Sequence, residues 1–266
     1  MSVVEDEGKV RIEARGRPVL TYHSLPDDTA KPWCANFIHP LASWRGAPLT
    51  EVAPGDHPHH RGVFWAWRRV MINGADVCDG WVGRNFAYRR TSIRSAERAD
   101  GGAEISAEFD WVLTTNALTL PFLRERTHIV VHSDCEDERR IAIEVRLRAL
   151  VESVALAGTD DGKAYSGPTL RFAHADRISV SSLGQALAPQ IGPVTTGPSV
   201  DFGWVPKPPD FPEHVRVACL IDGQAWTRWV LRRERGMQNC AFPGREPVAV
   251  AMDRDLVVAI SISIRN

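Results

Sequence analysis

Alternation of apolar and polar side chains is the feature of this 266-residue sequence that most limits its fold. It is clearest in residues 105–111, 141–147, 215–221 and 256–264. Successive side chains of a β-strand point to opposite faces of a sheet, so a period of two predicts strands with one buried face. No stretch of three helical turns shows a convincing period of 3.6 residues. The pattern therefore predicts a chain built almost entirely from strands.

Glycine and proline separate the strand candidates. The chain has 20 Gly and 18 Pro, and they recur where turns are expected. Many closely spaced strands indicate a sandwich or barrel of antiparallel sheets. We expect an all-β fold with little helix, a large antiparallel β-sandwich forming a single domain over residues 1–266. The best helical candidate is short, near residues 62–71, and the proline-rich residues 206–212 are expected to form a surface loop.

Charge and hydropathy exclude several classes of protein. The 32 Lys+Arg nearly cancel the 33 Asp+Glu, leaving a net charge of -1 and no footprint for nucleic acid or anionic membranes. No window reaches the ~18 consecutive apolar residues that span a bilayer, and the first residues do not resemble a secretory leader. Five scattered cysteines without a CxxC pair fit reduced thiols. We therefore expect a cytoplasmic protein that binds neither nucleic acid nor membranes, with its oligomeric state open.

The most informative segment is residues 57–67, HPHHRGVFWAW, which holds three histidines, one arginine and two tryptophans. A further histidine, His39, lies in the run FIHPL. The proline that follows His57 disfavours a helical conformation there, so the segment is expected to be extended. In an extended chain His57 and His59 point to one side and His60 to the other.

These residue types point to acid–base chemistry or to ligand binding. Imidazole titrates near neutral pH, so we predict His57, His59 and His60 as catalytic residues, one of them acting as general acid or base. Arg61 would hold a carboxylate, a phosphate or sugar hydroxyls through its planar fork. Trp65 would offer an aromatic face to a sugar ring.

Two other interpretations of the segment stay open. No cofactor is certain, but His57 and His59 could bind a divalent metal such as Zn²⁺, Mn²⁺ or Fe²⁺ with a carboxylate such as Glu125. Alternatively, the histidines make structural hydrogen bonds in a turn, and Trp65 and Trp67 fill the core.

The runs FIHPL and DHPHHRG, residues 37–41 and 56–62, resemble a bacterial family of unknown function of the DUF6807 type. Its members often carry the label "methane oxygenase PmoA". The family pattern has an I-H-P segment, then D-H-P-H-H-R-G followed by aromatic residues, and residues 56–62 match without a gap. The resemblance extends more loosely to about residue 175. The C-terminal third lacks two histidine-containing segments that are usual in the family.

The resemblance implies a β-sandwich similar to galactose mutarotase-like folds, which bind sugars on a concave sheet face. It does not imply a methane monooxygenase subunit, because such a subunit is an integral membrane protein. It also singles out Lys163 and Arg171 in DDGKAYSGPTLRF as substrate-binding residues that meet the histidines across that face, together with His39. His174, just beyond this run, is a further candidate.

We therefore expect an enzyme that acts on a small-molecule carbohydrate by epimerase, lyase or hydrolase chemistry. The alternatives are a metal-dependent enzyme with the histidines as ligands and a non-catalytic sugar-binding or scaffold protein.

Overall fold

The computed structural model describes residues 1–173, 178–188, 190–204, 213–232 and 236–265. Two sequence predictions, the candidate His174 and the loop over residues 206–212, lie outside these ranges. None of the described residues is helical, and the strands form large antiparallel sheets in a sandwich-like arrangement. The predicted all-β sandwich is confirmed. No helix in the described part of the chain has the length and apolar character needed to cross a bilayer.

In the described ranges the strands are, in chain order, β1 (Ser2–Asp6), β2 (Lys9–Ala14), β3 (Arg17–His23), β4 (Phe37–Leu41), β5 (Val63–Trp67), β6 (Arg69–Ile72), β7 (Ala75–Cys78), β8 (Phe86–Glu97), β9 (Ala103–Thr114), β10 (Thr119–Val131), β11 (Glu138–Ala149), β12 (Val154–Ala157), β13 (Ser166–Arg171), β14 (Ile178–Ser182), β15 (Gln185–Ala186), β16 (Val194–Thr195), β17 (Ser199–Trp204), β18 (Glu213–Ile221), β19 (Gln224–Ala225), β20 (Arg228–Arg232), β21 (Met237–Cys240), β22 (Val248–Val250) and β23 (Leu256–Arg265).

Three sheets are built from these strands. The nine-stranded sheet has the order β1-β2-β3-β4-β5-β13-β21-β20-β16. The ten-stranded sheet has the order β15-β14-β17-β18-β23-β11-β10-β9-β8, with β19 paired to β18. A four-stranded sheet has the order β22-β12-β6-β7.

The alternating segments build the core between the two large sheets. In β11 the side chains of Ile141, Ile143 and Val145 are buried, and the residues between them are at least partly exposed. The inward side chains of both sheets belong to one continuous apolar cluster. Trp111 of the ten-stranded sheet and Trp67 of the nine-stranded sheet meet across it, with ring centroids 5.6 Å apart. Burial of one face of each sheet therefore explains the period-two pattern.

The short helix expected near residues 62–71 is wrong, because this stretch forms β5 and β6. Every residue of β5 is buried. The side chains of Val63, Trp65 and Trp67 enter the sandwich core, whereas Phe64 and Ala66 join a second cluster on the opposite face. A strand buried on both faces reads as a continuous apolar run, so its alternation is hidden in the sequence.

We call this second cluster the outer cluster. It covers the face of the nine-stranded sheet that points away from the ten-stranded sheet, and it comprises Phe37, Phe64, Ala66, Trp81, Val230, Met237 and Ala241. The outer cluster supports the loops that carry the histidines.

Candidate functional site

The histidines lie in a pair of consecutive turns, not in an extended segment. The amide of His57 donates to the carbonyl of Pro54 at 2.9 Å, and the amide of His60 donates to the carbonyl of His57 at 3.0 Å. Pro58 takes the second position of the latter turn, where its fixed φ is favoured. The extended conformation expected from Pro58 is therefore wrong, because the same proline also suits a tight turn.

The turn brings all three imidazoles together. The rings of His57 and His60 stack with centroids 4.7 Å apart, and His59 meets His60 edge-on at 4.8 Å. Below them His60 rests on the outer cluster, 6.1 Å from the ring of Phe64 and 6.1 Å from that of Trp81. We call residues 57–60 the histidine turn.

Gly62 anchors the histidine turn to the sheet. Its φ is +59°, a backbone region that favours glycine. Its amide donates to the carbonyl of Glu51, and its carbonyl accepts from the amide of Arg171 at 2.7 Å. A Cβ atom at this position would lie 2.2 Å from the carbonyl oxygen of Ile38 in β4. The close approach of the Gly62 backbone to β4 therefore requires a residue without a side chain.

Arg171 holds the histidine turn from behind. Its Nε donates to Glu51 at 2.7 Å, its Nη2 donates to Asp56 at 2.9 Å, and its Nη1 lies 3.3 Å from Nδ1 of His60. A guanidinium can only donate, so Nδ1 of His60 is the acceptor and the proton of this neutral ring is on Nε2. Arg171 thereby fixes both the carboxylate and one imidazole of the site.

Asp56 and His57 form a carboxylate–imidazole pair. Oδ2 of Asp56 accepts from Nδ1 of His57 at 2.7 Å. Partial burial raises the pKa of Asp56, but the hydrogen bond from His57 and the charge of Arg171 outweigh it and leave this pKa below its ordinary value. The ionised carboxylate keeps the proton of His57 on Nδ1, so that the lone pair of this ring lies on Nε2.

The other two imidazoles are kept neutral. Burial, reinforced by the charges of His57 and Arg68, lowers the pKa of His59 to about 4. Burial and the neighbouring histidines lower the pKa of His60 to about 2. At neutral pH both rings are therefore hydrogen-bonding groups without charge.

This neutrality makes protein stability depend on pH. The ordinary pKa of His59 is 6.5 and its folded value is about 4, so the unfolded chain binds more protons between these values. We expect the free energy of unfolding to fall as the pH drops from 7 to 5, with His59 contributing about 1 kcal/mol of the loss. Urea unfolding of wild type and His59→Gln at both pH values measures this contribution. His128→Gln, which removes an exposed histidine, is the control and should lose as much stability as wild type on acidification. An identical loss in His59→Gln and wild type would contradict the expectation.

A cleft of about 440 Å³ opens beside the histidine turn. Its described lining residues are His57, His59, His60, Arg68, Trp81, Thr159, Asp161, Lys163, Tyr165, Ile191, Arg232 and Met237. The predicted residues His57, His59, His60 and Lys163 are thus brought together in one cleft. Arg171, predicted to bind substrate, is buried just behind this wall and contacts His60, because its guanidinium is engaged by Glu51, Asp56 and His60.

Arg61 lies beneath the turn and does not line the cleft. Its side chain is buried, with Nη1 donating to the carbonyl of Trp33 at 2.6 Å and Nη2 to that of Gly80 at 3.4 Å. The guanidinium also packs 4.9 Å from the ring centre of Phe64. The substrate-binding role expected for Arg61 is replaced here by a structural one, because both amino groups already bind backbone carbonyls.

His39 lies beside Gly62 and is not among the described residues of the cleft lining. Its Nδ1 is 3.1 Å from Oγ1 of Thr50, and its carbonyl accepts from Nε2 of His23 at 2.7 Å. Burial lowers the pKa of His39. The expectation that His39 lines the pocket is not met, because its ring turns to Thr50.

Trp65 and Glu125 lie in the sandwich core. Nε1 of Trp65 donates to Glu125 at 2.5 Å, and Glu125 also accepts from Asn36 at 2.6 Å, Thr127 at 2.7 Å and Trp111 at 2.7 Å. Trp65 therefore offers no face to a sugar ring, because its strand alternation directs it inward.

The predicted metal ligand set is not assembled. Glu125 is fully buried and its oxygens are engaged by four donors, so it does not join His57 and His59 around one ion. Within the described ranges no group of three or more His, Cys, Asp or Glu is arranged to hold a metal ion. A divalent metal on the predicted ligands does not fit this geometry.

Several residues of the cleft are not marked by any motif in the sequence. Tyr165, only two positions after Lys163, could have been found from the same loop. Arg68 and Trp81 follow the histidine segment without any motif, and Arg232 ends a strand far along the chain. No spacing in the sequence connects Arg232 to the histidine turn.

Comparison with protein families matches residues 9–262 to a "Family of unknown function (DUF6807)". The matched range begins at β2 and extends into β23, so the histidine turn and the described cleft residues all lie within it. No curated protein matches the chain. The function must therefore be argued from the site.

Proposed function

The chain belongs to the DUF6807 family of unknown function, and on that premise we propose that it is a carbohydrate-active enzyme whose histidine turn performs acid–base catalysis on a sugar or sugar derivative. The observation that carries the proposal is the Asp56–His57 pair, 2.7 Å apart, at the wall of the 440 Å³ cleft. A carboxylate that orients an imidazole is a recurring arrangement for general bases.

His57 is the proposed general base. Its side chain is 26% exposed, so it is accessible from the cleft while Asp56 holds its Nδ1. His59 and His60 are neutral at pH 7 and would act as hydrogen-bond partners of the reacting group. Epimerisation, elimination and hydrolysis of sugars each need a proton to be removed or delivered, which is the task of such a group.

The cleft suits a sugar in size and in chemistry. Its volume falls within the range of small-molecule sites. Its lining combines hydrogen-bonding side chains such as Thr159 with the partly buried aromatic ring of Tyr165. As part of the same proposal, we assign the sandwich to the galactose mutarotase-like folds and the protein to the cytoplasm.

Proton transfer can be measured without knowing the reaction. We would incubate the protein in D₂O with free sugars and methyl glycosides, both neutral and acidic, and follow C–H signals and new products by ¹H NMR. We expect His57→Ala to lower the rate by at least about 100-fold while the fold is kept. The control His128→Ala, on the exposed face of the ten-stranded sheet, should retain the wild-type rate.

Two results would contradict the proposal. One is an unchanged rate in His57→Ala. The other is saturable sugar binding with no turnover of any member of the panel, which would favour the non-catalytic sugar-binding alternative.

A further inference from the structure

We propose that the end of the cleft formed by Lys163, Arg232 and Tyr165 binds an oxyanion of the ligand, so that the sugar is a sugar acid or a sugar phosphate. This inference rests on the proposed function, because it assigns the substrate class of the same cleft. Carboxylate and phosphate share the chemistry that this end would recognise, and they are separated by the experiment below.

Tyr165 gathers two cationic side chains at one place. Nζ of Lys163 lies 5.9 Å from the centre of the Tyr165 ring, and Nη1 of Arg232 donates to the Tyr165 hydroxyl at 2.9 Å. The two side chains come from different parts of the fold, the loop before β13 and the end of β20. A point charge and a planar guanidinium that both contact Tyr165 suit an anion with several oxygens.

The histidine turn lies at the other end of the same cleft. The Tyr165 ring stacks at 6.1 Å on Trp81, and Trp81 in turn meets His60 at 6.1 Å. Trp81 is nearly fully buried and forms the floor between the two ends. A ligand of monosaccharide size can therefore place its anionic group at Tyr165 and its reacting carbon near the histidines.

The charge of the lining favours an anion over a neutral sugar. Three lining residues are cationic, Arg68, Lys163 and Arg232, and Arg68 is paired with the buried Asp79 at 3.4 Å. Asp161 is the one carboxylate among the lining residues that the structure describes. Oδ1 of Asp161 accepts from the hydroxyl of Thr159 and from the amide of Lys163, and its Oδ2 lies 3.9 Å from Nζ of Lys163, so this carboxylate is engaged within its own loop.

Because the lining has more cationic side chains than carboxylates, hydrogen-bond donors predominate in it. Hydroxyls of a neutral sugar need acceptors as well as donors, whereas an oxyanion needs donors alone. Lys163 and Arg232 place their cationic groups at the Tyr165 end, whereas Arg68, near His59, is paired with Asp79. The polarity of the cleft thus orients an anionic sugar in one direction.

The test is a set of calorimetric binding titrations with D-glucuronate, D-glucose 6-phosphate and methyl D-glucoside. We expect at least one anionic sugar to bind about 10-fold more tightly than the methyl glucoside, as one charged hydrogen bond would provide. Lys163→Gln should remove most of this preference. Lys9→Gln is the matched control, because Lys9 also has an aspartate partner but lies on β2, away from the cleft.

The comparison of glucuronate with glucose 6-phosphate decides between carboxylate and phosphate. Equal affinity for the neutral and both anionic sugars would overturn the inference. An unchanged preference for anions in Lys163→Gln would also overturn it. So would the absence of binding of either anionic sugar at a ligand concentration of about 20 mM.

These results are distinguishable from a failure of the proposed function. An anion preference that depends on Lys163, with an unchanged proton-transfer rate in His57→Ala, would refute the catalytic role alone. A rate that depends on His57, without an anion preference, would refute the anion subsite alone.

Discussion

Glu125→Leu should lower the free energy of unfolding by about 4 kcal/mol, because it leaves several buried hydrogen-bond donors without their acceptor. In the native protein the Glu125 carboxylate accepts from the indoles of Trp65 and Trp111 and from the amide of Asn36. All three donors lie in the core, where no water can replace the lost acceptor. Such a loss is a large part of the 5–15 kcal/mol typical of folded proteins.

Urea unfolding monitored by tryptophan fluorescence measures this change. Glu144→Leu is the matched control, because Glu144 lies on the neighbouring strand β11 with its side chain 39% exposed. We expect the control to change stability by less than about 0.5 kcal/mol. Similar losses in the two variants would show that the carboxylate of Glu125 does not hold the indoles.

Gly62→Ala should destabilise the protein by more than about 3 kcal/mol and abolish proton transfer. The new Cβ would overlap the Ile38 carbonyl oxygen at 2.2 Å, and that oxygen belongs to backbone that cannot move without separating β4 from β5. The φ of +59° adds a cost of its own. Because Gly62 lies two residues after His60, relief of the clash would displace the histidines to which we assign the proposed catalysis.

Gly74→Ala is the control that separates the effect of the clash with Ile38 from the cost of a positive φ. Gly74 also has a positive φ, +79°, but a Cβ atom there would meet nothing within 4 Å. We expect this control to cost about 1–2 kcal/mol and to leave activity unchanged. If Gly62→Ala and Gly74→Ala lost equal stability, close approach to β4 would not be the reason for glycine at residue 62.

The strands were predictable where one face of a sheet is solvated. Residues 141–147 and 256–264 lie within β11 and β23, and their apolar positions enter the core. In β5 the alternation failed as a signal, because Phe64 and Ala66 pack into the outer cluster while their neighbours pack into the core. The face of β5 that carries Phe64 and Ala66 is buried only because the tertiary structure places loops over it, and the local sequence does not show this.

Only the part of the site that is contiguous in the sequence was predictable. His57, His59 and His60 are adjacent in the chain, so their grouping could be predicted even though the turn was not. Arg232 reaches Tyr165 only because β20 pairs with β21 and β21 pairs with β13. Strand order of this kind depends on the whole sheet.

The position of β23 has a consequence for how the protein is made. This strand is later in the chain than every other described strand, yet it lies between β11 and β18 in the ten-stranded sheet. Before residues 256–265 are added, β11 and β18 each have an unpaired edge, and the core lacks the inward side chains of β23. Unpaired edges are templates for joining other chains. We therefore expect the nascent chain to be prone to aggregation until β23 pairs with β11 and β18.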